Sequence, residues 1–131
     1  MAAMVKSGIH RLGDLQLRIM KVLWATREAT VADVHKAVGP ESDLAYTTVA
    51  TMLRKMEARR LVEHRLEERS FVYRAAVAEE AVSQGMADHL LDRLFEGSLA
   101  DMVRHLLSNR EVSRAELSKL EKLIAERKRR R

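Results

Sequence analysis

Residues 44–55 read LAYTTVATMLRK. Val49 and Leu53, with Met56 just beyond, fall at helical spacing, and Leu61 follows as an exit contact, so the stretch predicts the body of a helix of about 14 residues. Three threonines and a tyrosine fill positions away from that apolar face. Threonine is a mediocre helix former because its branched Cβ restricts χ1. Its concentration here therefore asks for a reason outside helix propensity.

The flanking segments supply a context. Upstream, LGDLQLRIMKVLWA (12–25) places Leu15, Ile19, Val22 and Leu23 at helical spacing, with Leu12, Met20 and Trp24 widening the stripe, which predicts a core-facing helix. Next, Thr30 and Asp33 in TVADVHKAVG approximate a capping box, and Gly39-Pro40 reads as the stop of a second, short helix. Downstream, LVEHRL (61–66) and FVYRAAV (71–77) are rich in branched and aromatic residues and are separated by the charged EERS, which predicts a β-hairpin. Helix, helix, helix, strand, turn, strand is the order of a winged helix, a helix-turn-helix variant in which the third helix reads DNA and the hairpin is the wing.

From residue 78 the pattern becomes purely helical. AEEAVSQGMADHLLDRLFEG, SLADMVRHLLS and SRAELSKLEKLIAERKRRR predict three further helices, with Ser98 and Ser113 as N-caps and Glu116 completing a capping box with Ser113. The expected class is therefore mainly α with a small β-hairpin: a winged-helix DNA-binding domain over 10–77 and a helical dimerisation domain with a basic tail over 78–131. Such a short helical unit buries its apolar stripes poorly alone, so a second copy is the expected partner. Leu90, Leu94, Leu106, Leu117, Leu120 and Ile124 are the candidate dimer contacts.

The threonines now have a use. Short hydroxyl and methyl groups near the N-terminal end of a reading helix approach base edges and phosphates closely, and the methyl meets thymine. Tyr46, Thr47, Thr48 and Thr51 lie away from the Val49/Leu53/Met56 stripe, while Arg54 and Lys55, with Arg65, Arg69 and Arg74 on the wing, are candidates for phosphate. The plain alternative is a solvated helix face with incidental hydroxyls. For the wing, it is arginines paired with Glu63, Glu67 and Glu68, two of which would repel DNA at the tip.

Bulk properties bound the function without deciding it. The chain has 131 residues, a net charge of +5 and an isoelectric point near 9.9, yet Arg127, Lys128, Arg129, Arg130 and Arg131 account for the whole excess. Overall charge is thus weak support for a polyanion partner, and a frayed, solvated helix end explains the tail as well. Cysteine is absent, excluding disulfides and thiolate chemistry. No segment approaches the ~20 apolar residues of a membrane span, so no membrane insertion and a cytoplasmic location are expected. Phosphate loops and the common hydrolase and metalloprotease motifs are missing, so the chain is read as no enzyme, with no cofactor. His10, His35, His64, His89 and His105 are scattered singly; His89, Asp92 and His105 make a weak metal candidate, and no metal is expected.

LGDLQLRIMKVLW, TVADVHKAV, LAYTTVATMLRKMEARRLVEH, FVYRA, LLDRLFEGSLADMVRHLL and SRAELSKLEKLI, in this order over roughly residues 11–126, resemble the penicillinase-repressor (BlaI/MecI) family of transcriptional repressors. The resemblance implies a homodimer on double-stranded, palindromic operator DNA with TACA/TGTA-like half-sites. Thr47, Thr48 and Thr51 would contact the major groove, Tyr46 and Arg54 would support them, and the wing would reach the backbone. It further implies control of β-lactam resistance or other stress-response genes, with relief through a membrane sensor-protease pathway that cuts an Asn-Phe bond; this chain has His105-Leu106 at the matching position. The C-terminal cysteine motif of copper-responsive members is missing. A metal-responsive repressor and a winged helix that docks protein are the alternatives, the latter disfavoured by the shortage of aromatic anchors on the reading face.

Overall fold

The structure, a computed structural model, describes residues 12–130. His10, where the N-terminal unit is expected to begin, and Arg131, the last tail residue, lie outside the described residues. The first helix, α1, spans Asp14–Thr26 and buries Ile19, Met20 and Leu23. Its first turn is closed by Gln16, whose carboxamide oxygen accepts from the Gly13 N–H at 3.0 Å.

A three-residue strand, β1 (Glu28–Thr30), follows, which the sequence pattern does not predict. It is too short to display a period of two, and two of its three residues, Glu28 and Ala29, are poor strand formers. What holds it is pairing with β3, which places Ala29 opposite Tyr73 and buries it.

Thr30 ends β1 and caps α2 (Val31–Ser42) through the expected box: its hydroxyl accepts from the Asp33 N–H and its own N–H donates to the Asp33 carboxylate, both at 3.1 Å. The expected stop at Gly39-Pro40 is corrected. The helix continues to Ser42 and closes at Asp43, which adopts left-handed φ and donates its N–H to the Gly39 carbonyl at 2.7 Å. Proline lacks the N–H of its own helical bond, but that loss falls in the last turn, where the chain is about to leave the helix. Gly39 serves a different purpose: a Cβ there would lie 3.1 Å from Nε2 of His35, a contact tight enough that the ring would have to shift slightly.

Helix α3 spans Tyr46–Ala58, and Val49, Leu53 and Met56 are fully buried as its spacing predicts. Strands β2 (Val62–Glu67) and β3 (Ser70–Ala75) form the hairpin, pairing Val62 with Ala75 through to Glu67 with Ser70. Their two-residue turn, Glu68-Arg69, has positive φ at both positions, as the tightest hairpin connections require. The sheet order is β1-β3-β2. Its inner face contributes Ala29, Val62 and Tyr73 to a core shared with Ile19, Met20, Leu23, Val34, Val49, Leu53 and Met56.

Helix α4 (Glu79–Phe95) begins on this same core: Val82 is buried there and Met86 packs against it. The indole of Trp24 donates to the Val77 carbonyl at 2.9 Å, anchoring the chain just before α4. The chain divides into two compact units between Leu90 and Leu91. Within the second, Gly97 adopts the left-handed conformation that costs glycine least, and its N–H donates to the Leu91 carbonyl at 3.2 Å, ending α4. The last helices are α5 (Leu99–Ser108) and α6 (Arg114–Arg129). Ser98 and Ser113 cap them as expected, accepting from the N–H groups of Asp101 and Glu116 at 3.1 Å. Neither helix contains a buried residue.

Thus the chain is mainly helical with a small antiparallel sheet, as the sequence predicts, with β1 added to the hairpin. Among the described residues no helix is long and apolar enough to cross a membrane.

Candidate nucleic-acid interface

Because one side of α3 is committed to the core, its opposite side is fixed in space. Tyr46, Thr47 and Thr48 are exposed, Thr51 is half-buried, and Arg54 and Lys55 are exposed one turn on. Thr47, Thr48, Thr51, Met52 and Lys55 line one shallow depression of about 270 Å³. The N-cap of α3 is Ala45, which offers no side-chain acceptor, so the first turn keeps amide donors for another acceptor. Arg54 donates to the Thr51 hydroxyl at 3.3 Å, orienting both side chains along this face.

The wing divides its arginines. Arg69, at the turn, lines a second depression of about 310 Å³ with Thr30, Tyr46, Ala50 and Phe71, so it joins the α3 face. Arg74 does not: it donates to Glu63 at 3.0 Å and borders a separate hollow with Glu63, His64, Arg65 and Val72. Arg65 is engaged twice, with both carboxylate oxygens of Glu28 at 2.7 and 3.0 Å and with Glu67 at 2.8 Å. These carboxylates push the Arg65 guanidinium pKa higher still, and Arg65 in turn holds the Glu28 carboxyl below its ordinary range.

Several polar side chains that support this face carry no signal in the sequence pattern. His35, on α2, meets the Leu44 carbonyl at 2.8 Å through Nε2. A carbonyl only accepts, so Nε2 carries the proton. The same ring stands edge-on to Tyr46 at 5.9 Å and so braces the turn before α3. Gln16 donates to the Met52 sulfur at 3.4 Å and accepts from Arg59 at 3.2 Å, tying α3 and the residue that follows it to the start of α1. On the wing side, Nδ1 of His64 reaches both oxygens of Glu57, at 2.7 and 2.8 Å. None of these pairs has a spacing that a linear pattern exposes, since each depends on which elements meet.

In the C-terminal unit and the helix leading to it, the candidate dimer residues are uncovered or partly covered. Leu94 and Ile124 are more than half exposed, Leu90 and Leu117 are exposed to a lesser degree, and Leu106 and Leu120 are half-buried. His105 and Leu106 sit within α5; His105 is exposed with its ring 5.7 Å from that of Phe95, so the His105-Leu106 bond is not enclosed in a core. Among the described residues no three histidines or carboxylates are placed to hold a metal ion.

A three-helix unit with a hydroxyl-rich third helix and a flanking two-stranded wing defines a winged helix-turn-helix protein. The penicillinase repressor family model matches residues 12–126, and the chain belongs to that family of transcriptional repressors. It is 29% identical over 122 residues to the penicillinase repressor of Bacillus licheniformis, covering 93% of this chain and 95% of that one. It is 33% identical over 120 residues to the transcriptional regulator BlaI of Mycobacterium tuberculosis, covering 90% and 86%. The solution structure of the DNA-binding domain of the repressor BlaI superposes with a TM-score of 0.50 at 29% identity, over 56% of this chain and 89% of that domain. These relatives are regulators by name, in agreement with the reading that the chain is no enzyme.

Proposed function

We propose that this chain is a cytoplasmic, homodimeric repressor that occupies palindromic operator DNA, each protomer reading a TACA/TGTA-like half-site with α3. The observation that carries the reading is the face of α3: Thr47, Thr48, Thr51 and Lys55 border one depression while Val49, Leu53 and Met56, on the other side, are wholly buried. Threonine hydroxyls and methyls meet base edges; Tyr46, Arg54, Lys55 and Arg69 meet phosphate. Arg74 joins them by exchanging Glu63 for a phosphate oxygen. Membership of a repressor family and the likeness to the DNA-binding domain of BlaI support the same reading.

Dimerisation through residues beyond 77 is supported by the absence of any buried residue in α5 and α6, whose leucines need a partner. Two linked readers bind a palindrome far more tightly than either alone, so separating them relieves repression. We place β-lactam or another stress response upstream, with a membrane sensor-protease pathway acting at His105-Leu106 as the route of relief. Because that bond is helical, α5 must open for a protease to reach it.

The test is titration of the intact protein onto a palindromic duplex and a scrambled control at several salt concentrations. Tight binding to the palindrome with a steep salt dependence is expected. Equal affinity for both duplexes removes the specific-reader assignment.

A further inference from the structure

A short polar contact joins the hairpin to the reading helix. Nδ1 of His64, on β2, lies 2.7 and 2.8 Å from the two oxygens of Glu57, on α3. The imidazole is also flanked from the wing side: Phe71 lies 4.3 Å away and Tyr73 5.4 Å away, centroid to centroid. Phe71 borders the depression that contains Tyr46 and Arg69, so the His64 ring packs beside the part of the wing that faces α3. Glu57 belongs to the same helix as Thr47, Thr48 and Thr51.

We infer that His64 is a positioning residue for DNA binding: its bond to Glu57 sets the wing against the reading helix, and its protonation tightens that setting. This rests on the reading of α3 as a DNA-binding helix. The wing and α3 must meet the same duplex at a fixed separation, so a looser joint costs affinity without removing any contact to DNA.

The chemistry gives the direction. A protonated imidazole always has a proton on Nδ1 and donates a charge-assisted bond to the carboxylate. A neutral one donates only in the Nδ1–H tautomer, and without the charge. The surrounding groups are Glu57 and Arg54 from α3, Tyr73 and Arg74 from β3, and Glu63 and Arg65 beside His64 on β2. The Tyr73 phenol is pushed up, first by burial and then by Glu57, with Arg54 opposing, so it stays neutral.

The experiment measures affinity of the intact protein for a labelled TACA/TGTA palindrome at pH 6 and pH 8, for wild type, His64→Gln and Glu57→Gln. Wild type should bind about fivefold more tightly at the lower pH than at the higher, relative to the same ratio in either variant, the difference between a charged and a neutral hydrogen bond. Identical pH ratios in all three proteins overturn the proposal. A DNA-free arm follows the histidine ring resonances and the amides of α3 and the hairpin by NMR. Coupled movement of Glu57, Phe71 and Tyr73 amides with the His64 titration is expected, and is lost in Glu57→Gln. Uncoupled amides overturn the joint even if DNA is bound, whereas coupled amides without duplex binding overturn the DNA-binding reading and leave the joint standing.

Discussion

Arg65 on β2 grips Glu28 on β1 across the whole width of β3, at 2.7 and 3.0 Å. The two residues are 37 apart in sequence, and their strands are not paired with each other. Val72 of β3 is buried between Arg65 and Thr30, its cross-strand partners, so this pair acts as a strap over the central strand.

The strap makes the fold sensitive to acid. The Glu28 carboxyl is held below its ordinary range, mainly by its hydrogen bond with Arg65, and that of Asp33 by the N–H and hydroxyl of Thr30. A carboxyl whose folded pKa is depressed adds stability that is complete above its unfolded pKa and lost as pH falls through the folded one. Thermal unfolding followed from pH 7 downward should therefore show a falling Tm below about pH 4. Glu28→Gln should lower the Tm at neutral pH and flatten that fall; an unchanged acid profile contradicts the strap.

Thr48→Ala and Thr51→Ala should each cost about 1–3 kcal/mol of operator binding and relax preference at one or two base positions. Their melting temperatures should stay near wild type, since neither side chain belongs to the core. Binding assays across single-base operator variants decide this, and intact discrimination removes α3 as the reader.

The two wing arginines should separate in a salt titration. Arg69→Ala should weaken binding to every sequence and reduce the salt slope by about one. Arg74→Ala should change the slope less, because its guanidinium is already neutralised by Glu63 at 3.0 Å. Equal slopes for the two variants contradict this division.

Gly39→Ala sets two effects against each other. Alanine favours a helix over glycine by about 0.5–1 kcal/mol. The new methyl would meet the His35 ring at 3.1–3.2 Å, and that ring is held by its 2.8 Å bond to the Leu44 carbonyl. Displacing it should cost about 1–3 kcal/mol for the carbonyl left short of a partner, so a small net loss is expected on denaturant unfolding. A gain would mean that the ring yields freely.

Leu117→Asp or Ile124→Asp should turn the protein monomeric in sedimentation at micromolar concentration and abolish the concentration dependence of its Tm. Operator binding should weaken while binding to a single half-site is kept. A dimer that survives both substitutions lies elsewhere on the chain.

Much of this was legible in the sequence because it is periodic or local. The α3 stripe, the Thr30 box, the Ser98 and Ser113 caps and the paired strands all follow from neighbours within a few residues. What stayed hidden depends on contacts between elements. β1 exists because β3 offers it an edge, α2 outlasts Gly39-Pro40 because Asp43 takes the turn, and Gly39 gives close room to a ring four residues back. The site divides the same way: the threonine face followed from one helix, whereas the roles of His35, Gln16 and His64 needed the fold. Arg69 and Arg74 look alike in sequence, but Arg74 has a glutamate across the ladder and Arg69 sits at the turn.

The hairpin tip closes on Glu68 and Arg69, two ordinary side chains in a backbone region that suits asparagine and glycine. The Asn-Gly alternative would relieve strain of about 1–2 kcal/mol per residue and remove Arg69, which borders the α3 face. A hairpin optimised for its own folding would thus be a blunt one. On the proposed reading, the tip gives up a measure of intrinsic stability for a cation at the end of the wing, and the most robust version of this protein should be a poorer grip on DNA.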